Sequence, residues 1–551
     1  MTGKPARRGA RARPDRPRET WLGPAPGGVG AGGRLSVVVL SPSRYPLAMS
    51  NLGFQSAVSA FAAMPGVRCE RAFWEGKAPR SRETDSPLGD FDLVALSVSF
   101  ELDYLHVVSA LAAARLPLRA VDRAEDDPLV VAGGVCAFLN PEPLSDFLDA
   151  VLVGDAEALV PPVVESLVAS RGAPRVERLT ALARVPGVYV PSFYRVERGT
   201  AGAAFTPTRG APLPVRPALK AGALAQSTVL SDQAFFEDMF LIEASRGCGR
   251  GCRFCAAGHV YVPQRTRPAK DLLDAVRGVR DRTKRIGVVS AALGDHPESL
   301  AILRAVNELG IELNVSSLRA EVVSRELASL LASAGVRTVT IAPETGTEAL
   351  REIAGKPTRD ATLLRAAGAL AEGGIERLKL YFMIGLPGER ESDVQAIPAL
   401  ARELHAAFVK GRPGAKVSVG VSGFVPKPRT PFQWLPMARE RELRDKLAAI
   451  RRALSGRPHI EFTGEGPRES RMEGVLARGG REFGAALKAA AVDGVPWKAA
   501  MKRAGIDPES IIGRDYGDHE TFPWEVVDAG VSRPKLLASL RAARRLIDRR
   551  P

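Results

Sequence analysis

The chain has 551 residues, of which 45% are hydrophobic and 25% charged, a composition typical of a soluble globular protein. This length exceeds what one ordinary core accommodates, so we expect two to four domains. No apolar run approaches the roughly 18 residues of a membrane span, and the N-terminus lacks the apolar segment of a secretory signal. We therefore expect a cytoplasmic protein without a membrane partner.

Basic charge is concentrated at the start of the chain. Residues 1–34 hold eight Lys and Arg against Asp15 and Glu19 and are rich in Pro and Gly, which predicts a disordered basic tail. The net charge of +15 is compatible with an anionic partner such as RNA or a ribosome-associated molecule. A solvated, arginine-rich surface explains the same charge more simply, so the substrate stays open.

The first predicted domain covers residues 35–170. Its strands are continuous apolar runs of the kind buried in parallel sheets, and segments with helical periodicity separate them. The clearest runs are LSVVVL, FDLVALSVSF, PLVVAGG and DAVLVGDAE. This alternation predicts a doubly wound, Rossmann-like α/β domain. The Pro- and Gly-rich residues 171–235 are predicted to be a β-rich linker.

Six further strand–helix units follow the linker. Their strands lie in FLIEASRG, IGVVSAAL, ELNVSSLR, VRTVTIAPETG, RLKLYFMIGLPGE and KVSVGVSGFVP. Six such units predict a (β/α)6 partial TIM barrel over residues 236–436, with ligand sites at the C-terminal ends of its strands. Residues 437–551 are predicted to form a mainly helical C-terminal extension.

Three of the five cysteines lie within eight positions, directly after the first predicted barrel strand. The spacing is Cys248-x3-Cys252-x2-Cys255. Thiolates at these offsets in one loop can ligate three irons of a [4Fe–4S] cluster and leave the fourth iron open. Such crowding does not indicate a disulfide framework and favours a metal site in a reducing compartment. Only Cys69 and Cys136 remain, so the chain holds cysteines for one cluster.

Two alternatives compete with the iron–sulfur interpretation. His259 would complete a structural Cys3His zinc site in a non-catalytic nucleic-acid-binding protein. A redox thiol pair is also conceivable from Cys252 and Cys255 alone. Against zinc, all four ligands would lie in one 12-residue loop without a second ligand pair. Against thiol redox, the third cysteine would be unnecessary. The spacing favours iron and sulfur.

The cysteine motif after the first barrel strand resembles that of the radical S-adenosylmethionine (radical SAM) superfamily. APETG, FMIGLPGE, FVPKPRTPFQW and FPWEVVDAG are similar to one uncharacterised family of that superfamily, with an N-terminal cobalamin-binding-like domain and its own C-terminal extension. The resemblance implies that S-adenosylmethionine (SAM) binds the open iron. Reductive cleavage by an electron from a flavodoxin or ferredoxin would then release a 5'-deoxyadenosyl radical, which abstracts hydrogen from an unknown substrate.

The resemblance also implies which residues hold SAM, whereas it assigns no catalytic residue. These residues lie beside the last cysteine or at the ends of the later barrel strands. They are Phe254, Ala292, Ser317, Arg319, Glu344, Gly385 and Phe424. A turn or capping role is the alternative for each, and strand-end placement favours Arg319 and Glu344 most.

Cobalamin is possible but not favoured. Domains that supply a lower histidine ligand carry Asp-x-His-x-x-Gly after the first strand, whereas this loop reads LSPSRYPLAMSNLG. Without such a ligand, cobalamin would depend on Ser97, Ser99 and the Gly133–Gly134 turn. Within the enzyme interpretation, a cobalamin-dependent radical SAM methyltransferase therefore stays the alternative to plain hydrogen abstraction.

Overall fold

The structure is a computed structural model that describes residues 17–27, 34–199, 202–222, 224–291, 293–412, 414–457 and 459–550. Residues 1–16 and 28–33 of the predicted tail lie outside these ranges. Within the tail, β1 (Glu19–Trp21) pairs antiparallel with residues 229–231, and Glu19 forms an ion pair with buried Arg71 at 2.8 Å. The prediction of disorder is therefore wrong for residues 17–27, because composition cannot reveal a pairing partner distant in sequence.

The N-terminal domain is built on a six-stranded sheet. Its strands are β2 (Leu35–Ser41), β3 (Val67–Phe73), β4 (Leu93–Ser97), β5 (Leu129–Gly133), β6 (Ala150–Leu152) and β7 (Val188–Tyr189). The order is β3-β2-β4-β5-β6-β7, parallel except for the β6–β7 pair. The helices are α1 (Tyr45–Ala48), α2 (Leu52–Ala62), α3 (Asp103–Ala113), α4 (Val135–Leu139), α5 (Ala156–Ala169) and α6 (Arg175–Ala183). The predicted doubly wound α/β fold is confirmed.

This domain extends beyond the predicted boundary at residue 170. Helix α6 and strand β7 complete the sheet, so the predicted linker begins too early. The reason is that a two-residue strand carries no periodicity of its own and forms only because β6 is there to pair with it. The rest of the segment contains the antiparallel pair β8 (Tyr194–Gly199) and β9 (Gly202–Pro207), and then β10 (Val229–Ser231), which pairs with β1.

The second domain contains the predicted series of parallel strands and helices. One sheet holds β11 (Phe240–Glu243), β14 (Arg285–Val289) and β15 (Glu312–Val315), and a short antiparallel pair, β12 (Ser245–Arg246) and β13 (Arg265–Thr266), interrupts the first unit. A second sheet holds β16 (Thr338–Glu344), β17 (Arg377–Ile384), β18 (Lys416–Gly423) and β19 (Ile460–Gly464). A parallel bridge between Leu318 and Ile341 joins the two sheets, so the strands follow one another in chain order.

The helices of this domain alternate with its strands. They are α7 (Ala257–Val260), α8 (Ala269–Val279), α9 (Ser299–Glu308), α10 (Arg325–Ser333), α11 (Glu348–Ile353), α12 (Asp360–Glu372), α13 (Glu391–Gly411) and α14 (Glu440–Leu454). Strand β19 is a seventh parallel strand that lies beyond the predicted boundary at residue 436. Sequence pattern missed it because IEFTG is short and half exposed, and only its parallel pairing with β18 defines it.

The remainder of the chain is helical, as predicted for the C-terminal extension. It comprises α15 (Pro467–Arg478), α16 (Phe483–Ala491), α17 (Trp497–Arg503), α18 (Pro508–Ile512) and α19 (Arg533–Asp548). A separate apolar cluster, which includes Phe432, Trp434, Phe522 and Trp524, attaches this extension to the barrel. Among the described residues, no helix combines the length and apolar character that crossing a membrane requires.

Candidate functional site

The three cysteines lie in one closed loop between β12 and β13. The loop is tightly folded: Gly247 has φ +85°, and a Cβ there would lie 2.2 Å from the Tyr261 carbonyl oxygen. A Cβ on Gly258 would lie 2.6 Å from the carbonyl oxygen of Arg250. Glycine is therefore required for these close backbone approaches, which fold the cysteine segment back on itself.

The three thiols are free and half-buried, and they influence one another. Burial, together with the neighbouring Cys255 and Glu344, raises the pKa of Cys252 to about 11, although the charges of Lys356 and Arg319 act to lower it. Burial likewise raises the pKa of Cys255, although backbone N–H groups of α7 act in the opposite direction. A bound cation would displace these thiol protons, because metals bind the thiolate.

The donor set fits an iron–sulfur cluster better than zinc. No group of three His, Cys, Asp or Glu side chains in the described ranges is arranged to hold a metal ion, and this applies to the three thiols as well as to His259. His259 instead contacts the backbone of the loop. Its Nε2 lies 3.2 Å from the Cys252 carbonyl oxygen, and burial lowers its pKa. Three thiols with nearby N–H donors and cationic side chains match the requirements of an anionic cluster with one open iron.

Two of the predicted cofactor residues lie near Cys252. Glu344 ends β16 with φ +72°, a conformation that non-glycine residues rarely adopt. Lys356, which sequence reasoning missed, donates from Nζ to Glu344 Oε1 at 2.8 Å and to the Ala342 carbonyl oxygen at 2.7 Å. Arg319 follows β15, and its charge also acts on Cys252. Lys356 carries no motif signal, since it enters the site from the loop after α11.

Arg319 and the cysteine loop share a carboxylate. Asp295 accepts two hydrogen bonds from Arg250, both at 3.0 Å, and lies 4.0 Å from Arg319 Nε. Arg319 also forms an ion pair with Glu321 at 3.3 Å, while its buried Nε has no hydrogen-bond partner. An unsatisfied buried N–H beside the thiols provides a donor for an anionic ligand.

The other predicted cofactor residues are distributed around the strand ends. Phe254 and Phe424 share the apolar cluster of the C-terminal extension, where Phe424 is buried and meets Phe432 edge to face. Gly385 donates its N–H to Glu389 and is covered by Leu443, only 2.8 Å from where a Cβ would stand. Ser317 is half-buried after β15. Ala292 lies outside the described residues.

A cavity of about 290 Å³ lies where the strand ends of the two domains face each other. Ser97, Ser99, Gly133 and Gly134, the positions that the sequence offers to cobalamin, line it together. Acidic and basic residues that sequence reasoning missed complete the lining. They are Asp155, Glu157, Glu243 and Arg246. Asp155 and Glu157 come from the N-terminal domain, whereas Glu243 and Arg246 come from the barrel, so the sequence alone does not place them together.

Two family descriptions match the chain. "Radical SAM proteins, N-terminal" matches residues 53–191, and "Radical SAM superfamily" matches residues 242–401, which include the cysteine loop. An uncharacterized protein of Methanocaldococcus jannaschii is 27% identical over 346 residues, or 62% of this chain and 68% of that protein. One of Methanopyrus kandleri is 32% identical over 165 residues, or 27% of this chain and 31% of that protein.

Solved structures of radical SAM enzymes are also similar in fold. The cobalamin-dependent S-adenosylmethionine radical enzyme OxsB, with aqua-cobalamin and SAM bound, matches with a TM-score of 0.46 and 14% identity, covering 86% of this chain and 70% of its own. Streptococcus suis SuiB matches with a TM-score of 0.31 and 16% identity, covering 41% and 49%. At these scores the likenesses identify no shared ligand. The family matches, with the cysteine loop inside one of them, establish that the chain belongs to the radical SAM superfamily of enzymes.

Proposed function

We propose that this enzyme cleaves SAM reductively at a single [4Fe–4S] cluster and uses the radical to abstract hydrogen from a substrate. The observation that carries the proposal is the loop of three half-buried thiols beside Arg319, Glu344 and Lys356 at the barrel strand ends. When bound, the cluster and SAM supply the electron and the 5'-deoxyadenosyl radical. A flavodoxin or ferredoxin is the proposed reductant.

The chain's own residues have separable tasks in this proposal. Cys248, Cys252 and Cys255 hold the cluster as thiolates, and nearby N–H groups stabilise the negative charge on sulfur. Lys356 holds Glu344 by the 2.8 Å ion pair, so that this carboxylate is fixed at the strand end to accept hydrogen bonds from SAM hydroxyl groups. Arg319 offers the buried Nε to the SAM carboxylate.

Arg253 holds one side of the cysteine loop against the barrel and the C-terminal extension. Arg253, between two of the cysteines, donates to the carbonyl oxygens of Ile353 at 2.8 Å and of Ser539 in α19 at 3.1 Å. Its own carbonyl oxygen accepts the N–H of Phe432 at 3.1 Å. These contacts fix the segment between Cys252 and Cys255, while Gly249, Arg250 and Gly251 on the same loop stay exposed.

The test is 5'-deoxyadenosine formation after anaerobic reconstitution with iron and sulfide, with dithionite and SAM added. Cys252→Ala is expected to abolish the product, because the cluster loses one of three protein ligands. Cys69→Ala is the matched control, since Cys69 is equally a free cysteine but is buried in β3. A protein that binds one zinc and no iron would refute the proposal and favour the nucleic-acid-binding alternative.

The cavity between the domains favours a second candidate, a cobalamin-dependent methyltransferase. It lies at the carboxyl ends of the strands β2, β4, β5 and β6, where the sheet order changes direction between β2 and β4, and such switch points are the usual ligand sites of doubly wound sheets. The lining contains no histidine, so cobalamin would bind without a lower protein ligand. Spectroscopic titration with aquacobalamin and detection of S-adenosylhomocysteine distinguish this candidate from plain hydrogen abstraction.

The substrate proposal is coarser and is based on charge alone. The net charge of +15 supports an anionic macromolecule such as RNA or a ribosome-associated protein. Electrophoretic retardation of total RNA at low and at physiological salt tests it, because phosphate contacts weaken steeply as salt rises.

A further inference from the structure

A single carboxylate of the N-terminal domain holds both ends of the cysteine loop. Asp155 lies three residues after Leu152, the last residue of β6, and immediately precedes α5. Arg246 and Arg265 are direct cross-strand partners in the β12–β13 pair. Arg246 precedes the first cysteine by two residues, and Arg265 follows the last cysteine by ten, after α7. Both guanidinium groups donate to Asp155, so one residue from another domain holds the base of the loop closed.

Both carboxylate oxygens of Asp155 accept two hydrogen bonds. Its Oδ1 accepts from Arg246 Nη1 at 2.6 Å and from Arg265 Nη2 at 3.1 Å, and its Oδ2 accepts from Arg265 Nη1 and from the backbone N–H of Lys220 at 3.0 Å. The side chain is only 1% exposed. Burial acts to raise the pKa of Asp155, but these donors outweigh it and hold the pKa below the ordinary carboxyl value.

A second buried carboxylate, Asp149, also binds two arginines, but its contacts stay within one domain. Asp149 is also 1% exposed and also binds two arginines, Arg123 at 2.7 Å and Arg175 at 2.8 Å, together with the backbone N–H of Val130 at 2.8 Å. All of its partners belong to the N-terminal domain. Asp149 therefore contributes to the stability of that domain, whereas the bonds of Asp155 cross to the cysteine loop.

We infer that Asp155 is a positioning residue for the cysteine loop, which it orients from the N-terminal domain through Arg246 and Arg265. This inference rests on the proposed function for its catalytic meaning. Arg246 is two residues before Cys248, so a change in its direction moves the first cysteine ligand. Arg246 is also held by Glu243 of β11 at 2.6 Å, which connects this set of contacts to the first barrel strand.

The same contacts link the cavity to the cluster loop. Asp155 and Arg246 both line the cavity between the domains. A ligand that fills this cavity therefore contacts the groups that orient the cysteines, without reaching the thiols themselves.

The experiment compares Asp155→Asn with the matched variant Asp149→Asn in the full chain. Hydrogen exchange of the cluster-free protein is measured over residues 247–264, and the reduced, reconstituted protein is examined by electron paramagnetic resonance with and without SAM. Asp155→Asn is expected to raise exchange in the loop about tenfold and to alter the SAM-induced spectral change, because charged hydrogen bonds at the loop base are lost. Asp149→Asn is expected to raise exchange in β5 and α6 alone.

Equal exchange in the loop for wild type and Asp155→Asn, or equal loop exchange in both variants, would overturn the inference. If Asp155→Asn does not fold, Arg265→Lys is tested in its place. This change keeps the positive charge but removes the two guanidinium donors that Asp155 accepts. Unchanged loop exchange in Arg265→Lys would also refute the inference. The proposed function is judged separately, by iron content and 5'-deoxyadenosine in the wild type. Either can therefore fail while the other stands.

Discussion

The two large sheets of this protein differ in how their faces are covered. In the N-terminal sheet, β4 and β5 are buried along four consecutive residues each, since helices pack on both faces. In the barrel, β16 and β17 alternate between buried and accessible residues. The buried side, including Leu380 and Val419, shares a core with α12 and α13. The other side, here called the uncovered face, carries Thr340, Lys379, Tyr381 and Ser418.

This difference shows that the two sheets gain stability from burial to different degrees. Burial of both faces stabilises the N-terminal sheet but leaves ligand space only at its strand ends. The barrel strands lose part of that stabilisation, because one of their faces stays partly accessible. The cysteine loop lies where the strand ends of both sheets meet, and Asp155 connects them there.

The largest expected effect on stability tests the contrast directly. Leu96→Ala in β4 removes a side chain that is 3% exposed, and we expect it to lower the free energy of unfolding by about 2–5 kcal/mol. Tyr381→Ala on the uncovered face, where the side chain is 42% exposed, should cost less than about 1 kcal/mol. Urea denaturation measures both. Equal decreases in the free energy of unfolding would mean that the uncovered face is packed as tightly as the N-terminal sheet.

The next effect concerns activity rather than stability. Lys356→Met should lower 5'-deoxyadenosine formation about 10- to 100-fold, because Glu344 loses its ion pair and Cys252 loses a neighbouring positive charge. Lys416→Met is the control, since Lys416 lies at the opposite end of β18 in an exposed pair with Glu461. A Lys356 variant with the wild-type rate would show that this lysine takes no part in SAM cleavage.

A smaller, pH-dependent effect is expected where the two sheets meet. Because its arginine partners hold the folded-state pKa of Asp155 below the unfolded value of about 3.9, the ionised group stabilises the fold above that value. The contribution is lost as pH falls through the folded pKa. Wild type should therefore exceed Asp155→Asn in stability at pH 7, and the difference should shrink at pH 3. Denaturation at both pH values measures it, and a constant difference would contradict the assignment.

The smallest effect is expected for Ser418→Ala on the uncovered face. Its side chain is half-buried, and none of the described hydrogen bonds uses its hydroxyl, so the free energy of unfolding should change by no more than about 0.5 kcal/mol. The neighbouring Val419→Ala, on the buried face, should cost clearly more. Thermal unfolding of the pair checks whether the faces differ within a single strand.

The sequence by itself determined the α/β class, the order of the strand–helix units and the cysteine loop. These features are local: a run of apolar residues, a 3.6-residue period and three thiols at fixed spacing are all visible within a short window. The association of Arg319 and Glu344 with strand ends was also accessible, because parallel strands of a barrel end on one side.

Only the tertiary structure decided what surrounds the cysteines. Lys356, Asp295 and Asp155 come from three different places in the chain, and nothing local distinguishes them from other charged residues. Strand β19 and the ordered β1 exist because distant partners supply their hydrogen bonds. A short segment has too little apolar surface to specify its own conformation, and a single charge acquires a role only when folding places its partner within a few ångströms.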